Sequence, residues 1–567
     1  MIRCHSPCTL PSALFTFVAA CCGLCPAAMA EATSAPGAAV PSGAAEVEQI
    51  REGSVPPPRL VASFEGLGYG FEGPQGTASF RNPSDNSLAV GPDHIVQVVN
   101  TRMAIFTKKG RVYGETGRAL YGPVETRNVF RDFGGACEEI NNGDAVVRFD
   151  QLAERWLIVM PIFRRLPPRD DEPAVPEPGG AAQLSVVGNP GQPGPARLLF
   201  QPAAPPDDPE QASGQRPRSA GQREDGSFAM CYAISATTDP LGEWYRYEFV
   251  RPLFPDYPRP AVWPDGYYVP TSTGDEVIEK HACVVEREKM LAGQPAREQC
   301  LIIQDASFLN NSDVDGAQPP PAGAPNIMIT TGGAQLRNEL DDDGLYAWKF
   351  SVDWQNPANT KAEGPAKIPV APYRFLCGGQ LTHCVPQPGV EQRLDAQGDK
   401  IMSRFVYRRL GDVESMVAVH SVNTSAGGGG VRWYELRLDE NGDVRLHQQG
   451  TYAPGGNFRW MASPAIDSAG NIGIGYSFGG PGNYPGQRFA ARRPGDPKGR
   501  MTLAEAILVE GEASQTGTLR WEDYTQTAVD PSDDCTIWYV GDYIRAGAPT
   551  YSSRVGAFQI GACGRGY

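Results

Sequence analysis

The chain has 567 residues, including 65 Gly and 52 Pro, with 41% hydrophobic and 20% charged residues. Gly and Pro make up about a fifth of it, against roughly 12% in average usage. Both break helix interiors, so a helical bundle or a coiled coil is excluded. Against 65 acidic residues stand 50 basic ones, a net charge of −15, which excludes the basic footprint of a nucleic-acid binder.

Residues 1–30 read as an export signal. Arg3 supplies positive charge, residues 10–24 a mostly apolar stretch, and Ala28-Met29-Ala30 a small-residue cleavage site. That stretch is too short to span a bilayer, and no later run of about 18 apolar residues follows. A secreted or periplasmic product with no transmembrane segment is expected. Val18-Ala19-Ala20-Cys21 offers a second route, since it resembles a bacterial lipobox in which Cys21 is acylated. Residues 31–59 are rich in Ala, Gly, Pro, Ser and Glu and read as a flexible linker.

Five of the 13 Cys lie in the first 30 residues. Cys137, Cys231, Cys283, Cys300, Cys377, Cys384, Cys535 and Cys563 remain, an even number that reads as disulfides in an exported chain. Proximity favours Cys377–Cys384 and Cys283–Cys300. Cys535–Cys563 and Cys137–Cys231 then follow by elimination. The only C-x-x-C lies in the signal region, so zinc is disfavoured.

Patterned sequence starts near residue 60. A low-complexity run at 162–227 separates two strand-like segments and reads as a long insertion between paired strands, because loop closure costs little more as a loop lengthens. Between these stretches the chain repeats itself. SLAVGPDHIVQVVN (87–100), DAVVRFDQLAERWLIVM (144–160), PAVWPDGYYVPTS (260–272), SPAIDSAGNIGIGYS (463–477) and TAVDPSDDCTIWYVGDY (527–543) share a strand, tight turn, strand layout. LDAQGDKIMSRFVYR (394–408) is a diverged sixth, and 275–385 has room for one more. Repeating antiparallel units of this kind predict an all-β protein, a β-propeller of six or seven four-stranded blades spanning 60–567. Ring closure is expected where residues 61–64 meet 555–558. Short helices are expected at 286–291 and 503–508.

The repeats, together with VWPDGYY, MLAGQPA, PPPAGAPN, GDVESMVAVHSV and VRWYELR, resemble a group of exported and mostly uncharacterised bacterial β-propeller proteins. The resemblance implies the fold and carries no activity. Residues 467–472 also resemble, distantly, the Asp-box turn of sialidases. Ile472-Gly473 stands where that box has Thr-Trp, and in those families the turn is structural.

Residues just before each inner strand of a propeller point to the channel mouth. Here they are Asp85, Asp144, Asp256 with Tyr257, Arg459 with Trp460, and Asp523 with Tyr524. Loops from second to third strands add Asn100, Arg102 and His420. Such a ring suits a polysaccharide or cell-surface glycan. Paired carboxylates among Asp85, Asp144, Asp256 and Asp523 serve as acid and base or nucleophile on a glycosidic bond. His420 carries a proton. Trp460 and Tyr524 are expected to stack on sugar, Tyr257 and Asn100 to bind it, and Arg102 or Arg459 to hold an anionic substituent. Two functions fit: a carbohydrate-active hydrolase or lyase, and a non-catalytic propeller that binds a glycan or a protein at the cell surface. A monomer is expected. Calcium is the other occupant a carboxylate ring takes, and Asp313-Val314-Asp315-Gly316 and Asp341-Asp342-Asp343-Gly344 resemble parts of calcium loops. Gly475–Gly479 matches G-x-S-x-G, but the loop after Ser477 is not the helix a nucleophile elbow needs.

Overall fold

In the computed structural model the described residues are 40–166, 196–197, 227–272, 280–303, 306, 308–333, 340, 343–379 and 383–561. The signal region with Cys21, most of the 162–227 insertion, Asp341, Asp342 and Cys563 lie outside them.

The Gly- and Pro-punctuated segments fold as short strands, and the structure is nearly all-β. Most of the described strands sort into seven antiparallel quartets, two of which join in one nine-stranded sheet. The first runs Ser87–Val90, His94–Val99, Arg102–Thr107, Ala119–Glu125. The second is Val146–Asp150, Arg155–Leu166, Ser227–Ser235, Glu243–Arg251. The third is Ala261–Trp263, Gly266–Ser272, Lys280–Val285, Glu298–Ile303. Asn310–Val314, Asn326–Gly332, Gly344–Ser351 and Lys361–Ile368 make the fourth, in the interval where the sequence has room for a further unit. The fifth is Phe405–Leu410, Val413–Asn423, Gly429–Leu438, Val444–Tyr452. The sixth is Phe458–Ile466, Ile472–Gly480, Asn483–Arg492, Ala506–Val509. Gln526–Val529, Ile537–Tyr543 and Ser552–Gln559 make three strands of the seventh. Its fourth is Arg59–Glu65, from the other end of the chain, with Ala62 opposite Ala557 and Phe64 opposite Val555.

The repeat turns join first strands to second ones, closing Val90 on Ile95, Trp263 on Gly266 and Ile466 on Ile472. At the last of these the Asp467 carboxylate accepts the amides of Ala469 and Asn471, each at 2.9 Å, and Gly470 takes φ +78°. Asp467 is therefore a turn residue. The diverged repeat pairs differently from its sequence reading. The fifth quartet turns at Gly411, and residues 395–404 precede its first strand. The helix at Arg287–Leu291 is present, whereas 503–508 runs into strand Ala506–Val509 because that segment extends the sixth sheet.

Each quartet's first strand lies against the next in chain order, and Gln526–Val529 lies against Ser87–Val90. Between the fourth and fifth quartets this contact is a parallel pairing, with Asp313 opposite Val406. First strands are buried on both faces, as a sheet covered on each side by its neighbours requires. Leu88, Val90, Ile95 and Phe106 pack on Trp538, Val540 and Val555 of the seventh quartet. Ala465, Phe489 and Leu508 pack on its opposite side with Ile537 and Phe558. Each such side chain contributes about 1.5–3 kcal/mol on burial.

The linker expected at 31–59 is strapped down over its described part. Glu48–Gln49 pairs in parallel with Thr451 and Tyr452. Gln49 exchanges two 2.8 Å hydrogen bonds with the backbone of Met501. Disulfides join Cys137–Cys231, Cys283–Cys300 and Cys377–Cys384. Cys535 is disulfide-bonded as well. No described helix is long and apolar enough to cross a membrane.

Candidate functional site

One backbone event recurs just before or within the first strands. Asp85 (φ 50°), Asp144 (54°), Tyr257 (54°), Met461 (49°) and Asp523 (62°) all adopt left-handed conformations. L residues rarely do so, and Asp and Asn tolerate it best because their short side chains bond the local backbone. The kink takes each residue off the pleat of its strand.

Four acids from four quartets meet there. Asp144 stands beside Asp85 on one side and Asp256 on the other, and Asp523 stands close enough to weigh on both Asp85 and Asp144. Burial first, then the charges of Asp144 and Asp523, hold the Asp85 carboxyl well above the usual range. Burial, then Asp256 and Asp523, does the same to Asp144. Asn100 donates its side-chain amide to Asp85 at 2.5 Å. Arg520 grips both oxygens of Asp523, one of them at 3.1 Å. Asp256 exchanges backbone bonds with Ser272. Asp85 and Asp523 are 1% and 8% exposed, while Asp144, Asp256 and Arg520 are half-buried and form the outer side of the cluster.

Beneath the acids lies an aromatic floor of Tyr257, Phe308 and Tyr524 with Val146. The Tyr257 ring meets Tyr524 edge-on at 5.3 Å and Phe308 at 5.5 Å, and its hydroxyl donates to the Asp523 carbonyl at 3.1 Å. The Arg259 guanidinium sits 3.2 Å from the Tyr257 centroid. Lys400 Nζ lies 4.2 Å from the Phe308 centroid and 3.2 Å from Asp399. Several buried polar atoms here have no hydrogen-bond partner among the described residues: Tyr524 Oη, Asn100 Oδ1, and Arg259 Nε and Nη2. With Tyr257 and Tyr524 only 6% and 3% exposed, neither ring offers an open face for a sugar.

The structure thus brings together Asp85, Asp144, Asp256, Asp523, Asn100, Tyr257 and Tyr524. Arg520, Arg259 and Lys400 join them unannounced by the repeat pattern. Their signals are positional: Arg520 three residues before Asp523, Arg259 two after Tyr257, and Lys400 three after the left-handed Gln397.

Four expected residues are not brought to the cluster. Arg102 pairs with Glu125 at 3.4 Å. Arg459 pairs with Glu505 at 2.8 Å beside a separate pocket of about 530 Å³ that Phe478 and Arg488 also line. Trp460 is fully buried against Trp521. The cause is the bulge after Trp460, which hands the left-handed position to Met461 and turns Trp460 into the core. His420 is also fully buried, bonded through Nε2 to Tyr434 at 2.9 Å and stacked on that ring. Burial, then the Arg432 charge, pushes it well below the usual imidazole range.

Asp313 and Asp315 are not a cation loop. Arg404 pairs with both carboxylates and Arg148 approaches Asp313 at 3.3 Å. This ion cluster lines a cavity of about 20 Å³ among the first strands, with Leu88, Gln526 and Thr527. Ser477 lies inside a sheet strand and donates to Glu522, so it has no nucleophile's setting.

No family model matches the chain, and no curated protein matches it. Among solved structures it is similar to an ulvan lyase described as a new family of polysaccharide lyase, at 11% identity over 89% of this chain and 96% of that one, with a TM-score of 0.37. A protein of unknown function from Dyadobacter fermentans aligns at 9% identity over 89% of this chain and 100% of its own, with a TM-score of 0.31. A sialidase from Streptococcus pneumoniae aligns at 10% identity over 75% and 67%, with a TM-score of 0.34. At these values the likenesses assign no activity to this chain.

Proposed function

We propose that the chain is an exported, monomeric β-propeller of seven blades that binds and cleaves a polysaccharide or cell-surface glycan at the mouth of its channel, as a hydrolase or lyase. Each quartet is then a blade, and Arg59–Glu65 closes the ring as the outer strand of the last one. The observation that carries the reading is the meeting of Asp85, Asp144, Asp256 and Asp523 from four quartets at one place.

Glycosidic cleavage by hydrolysis needs two carboxyl groups about 5–10 Å apart. Adjacent members of the row Asp85–Asp144–Asp256 stand too close to each other for that. The working pair is instead half-buried Asp256 with Asp523, which Arg520 holds in place. Tyr257 fixes the pair by linking its own segment to the Asp523 carbonyl.

A second reading, a non-catalytic glycan- or protein-binding propeller, is favoured by the burial of Tyr257 and Tyr524, which leaves the cluster without an exposed stacking ring. The test is a polysaccharide panel screened for product and for binding with wild type, Asp523→Asn and Asp256→Asn. Product that both variants abolish supports the enzyme. Binding without product supports the second reading, and neither product nor binding on any glycan overturns both.

A further inference from the structure

We propose that the Asp85–Asp144 part of this cluster is a binding site for one divalent cation of the calcium class, held by Asp85 and Asp144 with Asn100 Oδ1 and Tyr524 Oη as neutral oxygen ligands. The inference stands on contacts of these four residues and does not depend on the glycan reading.

Charge balance is the first argument. Asp523 is taken up by Arg520 and Asp399 by Lys400. Asp85 and Asp144 form no ion pair of their own among the described residues and only share the charge of Arg520 with Asp523, although Asp85 is almost wholly buried and Asp144 lies beside both Asp85 and Asp256. Buried like charges at hydrogen-bond distance repel strongly unless a proton or a cation lies between them.

The second argument is independent of the acids. Two neutral oxygens at the cluster are buried and have no hydrogen-bond partner among the described residues. Tyr524 Oη belongs to a residue 3% exposed, and Asn100 Oδ1 to one 8% exposed. Asn100 already gives its amide N–H to Asp85, which turns its carbonyl oxygen toward Gly143, the residue before Asp144. A Cβ at position 143 would lie 3.0 Å from that oxygen, and Gly143 takes φ +122°, so the close approach needs glycine there. Tyr524 packs on Val146, two residues beyond Asp144. A buried oxygen without a donor costs about 1–3 kcal/mol, and a cation relieves both at once.

The donor set is all oxygen, with two carboxylates, a side-chain carbonyl and a phenol. That composition suits hard cations, and Ca²⁺ tolerates its irregular spacing better than Mg²⁺, which demands near-octahedral geometry.

The test is isothermal titration of CaCl₂, and in a parallel arm MgCl₂, into the purified full chain after EDTA treatment and dialysis. One Ca²⁺ per chain is expected, with a dissociation constant of about 1 mM or tighter, the range of extracellular modules, and at least tenfold weaker binding of Mg²⁺. Asp85→Asn and Asp144→Asn should each weaken Ca²⁺ binding at least tenfold, and Tyr524→Phe severalfold. Thermal melts give a second readout. Calcium should raise the midpoint of the wild type and leave that of Asp144→Asn unmoved, while Asp144→Asn without calcium should melt above calcium-free wild type because it loses a repulsive charge. No saturable calcium binding overturns the proposal, as does binding that persists unchanged in Asp85→Asn and Asp144→Asn. Preferential binding of Mg²⁺ overturns the assignment to the calcium class.

Discussion

Asn86 and Asp542 stand 456 residues apart in the chain and meet in a 2.6 Å hydrogen bond, amide to carboxylate, between the first and seventh quartets. Asp542 is 1% exposed. Around it Ser477, Gln487 and Asn86 knit the sixth, seventh and first quartets to Glu522 and Asp542. Asn86→Ala strips a donor from a buried carboxylate and should cost about 1–3 kcal/mol. Urea unfolding followed by near-ultraviolet circular dichroism measures it, and an unchanged midpoint would mean that the seam is not held there.

The same network makes stability pH-dependent. Burial raises Asp542 to about 7, and burial followed by the Asp542 charge raises Glu522 well above its usual range. In the unfolded chain such groups titrate near 4. Between about pH 4 and 7 the folded chain therefore holds more protons than the unfolded one, and stability falls as pH rises. The stabilising contribution is complete below about pH 4 and is lost as pH passes through about 7. Thermal midpoints in calcium-free buffers from pH 4 to 8 should show this decline, on the order of a few kcal/mol across the window. Asp542→Asn keeps the acceptor for Asn86 and should flatten the profile. A variant profile as steep as wild type refutes the assignment.

Arg404 is the main partner of two buried carboxylates, Asp313 and Asp315, with Arg148 beside them. Breaking a buried ion cluster by removing one partner typically costs about 3–5 kcal/mol, because the other charges stay buried. Arg404→Met should lower the unfolding free energy, measured by guanidinium titration, by that amount. Adding Asp315→Leu to Arg404→Met should restore part of the loss. An additive further loss would show that the pair does not share its energy.

Glycan processing, where the polysaccharide screen finds it, should separate the buried candidates from the clustered ones. Asp523→Asn should lower turnover at least a hundredfold, the scale of a lost acid–base group. Trp460→Phe and His420→Gln should leave kcat within about threefold while lowering thermal midpoints, since both side chains are packed away from the acids. A hundredfold loss in His420→Gln, with its fold intact, would return His420 to the site.

Much of the fold was legible because short-range chemistry specifies it. Pro264-Asp265-Gly266 and Asp467 to Asn471 make turns wherever they stand, and the apolar strands that flank them pair with their sequence neighbours. Three of the four clustered acids, Asp85, Asp144 and Asp523, stand at left-handed kinks just before first strands, a place that Asp tolerates, whereas at Asp256 the kink falls on Tyr257. No strand–turn–strand repeat motif marks the fourth quartet in the sequence, and the turn chemistry at 396–399 lies outside the fifth quartet, which turns at Gly411. Trp460, His420, Arg102 and Arg459 misled because residue type and repeat position do not say which way a side chain turns. A one-residue bulge put Trp460 in the core.

The sequence alone determined that the chain is strand-rich, repeats a strand–turn–strand unit, and bears an acid at the head of several repeats. These are local properties, set by turn chemistry and period-two patterning over a few residues. The tertiary structure decided which acids share an environment, that Arg520, Arg259 and Lys400 stand among them, and that Tyr524 and Asn100 keep unpartnered oxygens there. Those outcomes depend on the contacts of first strands hundreds of residues apart. Burial and like charge then act across quartets, and no pattern within a single repeat records them.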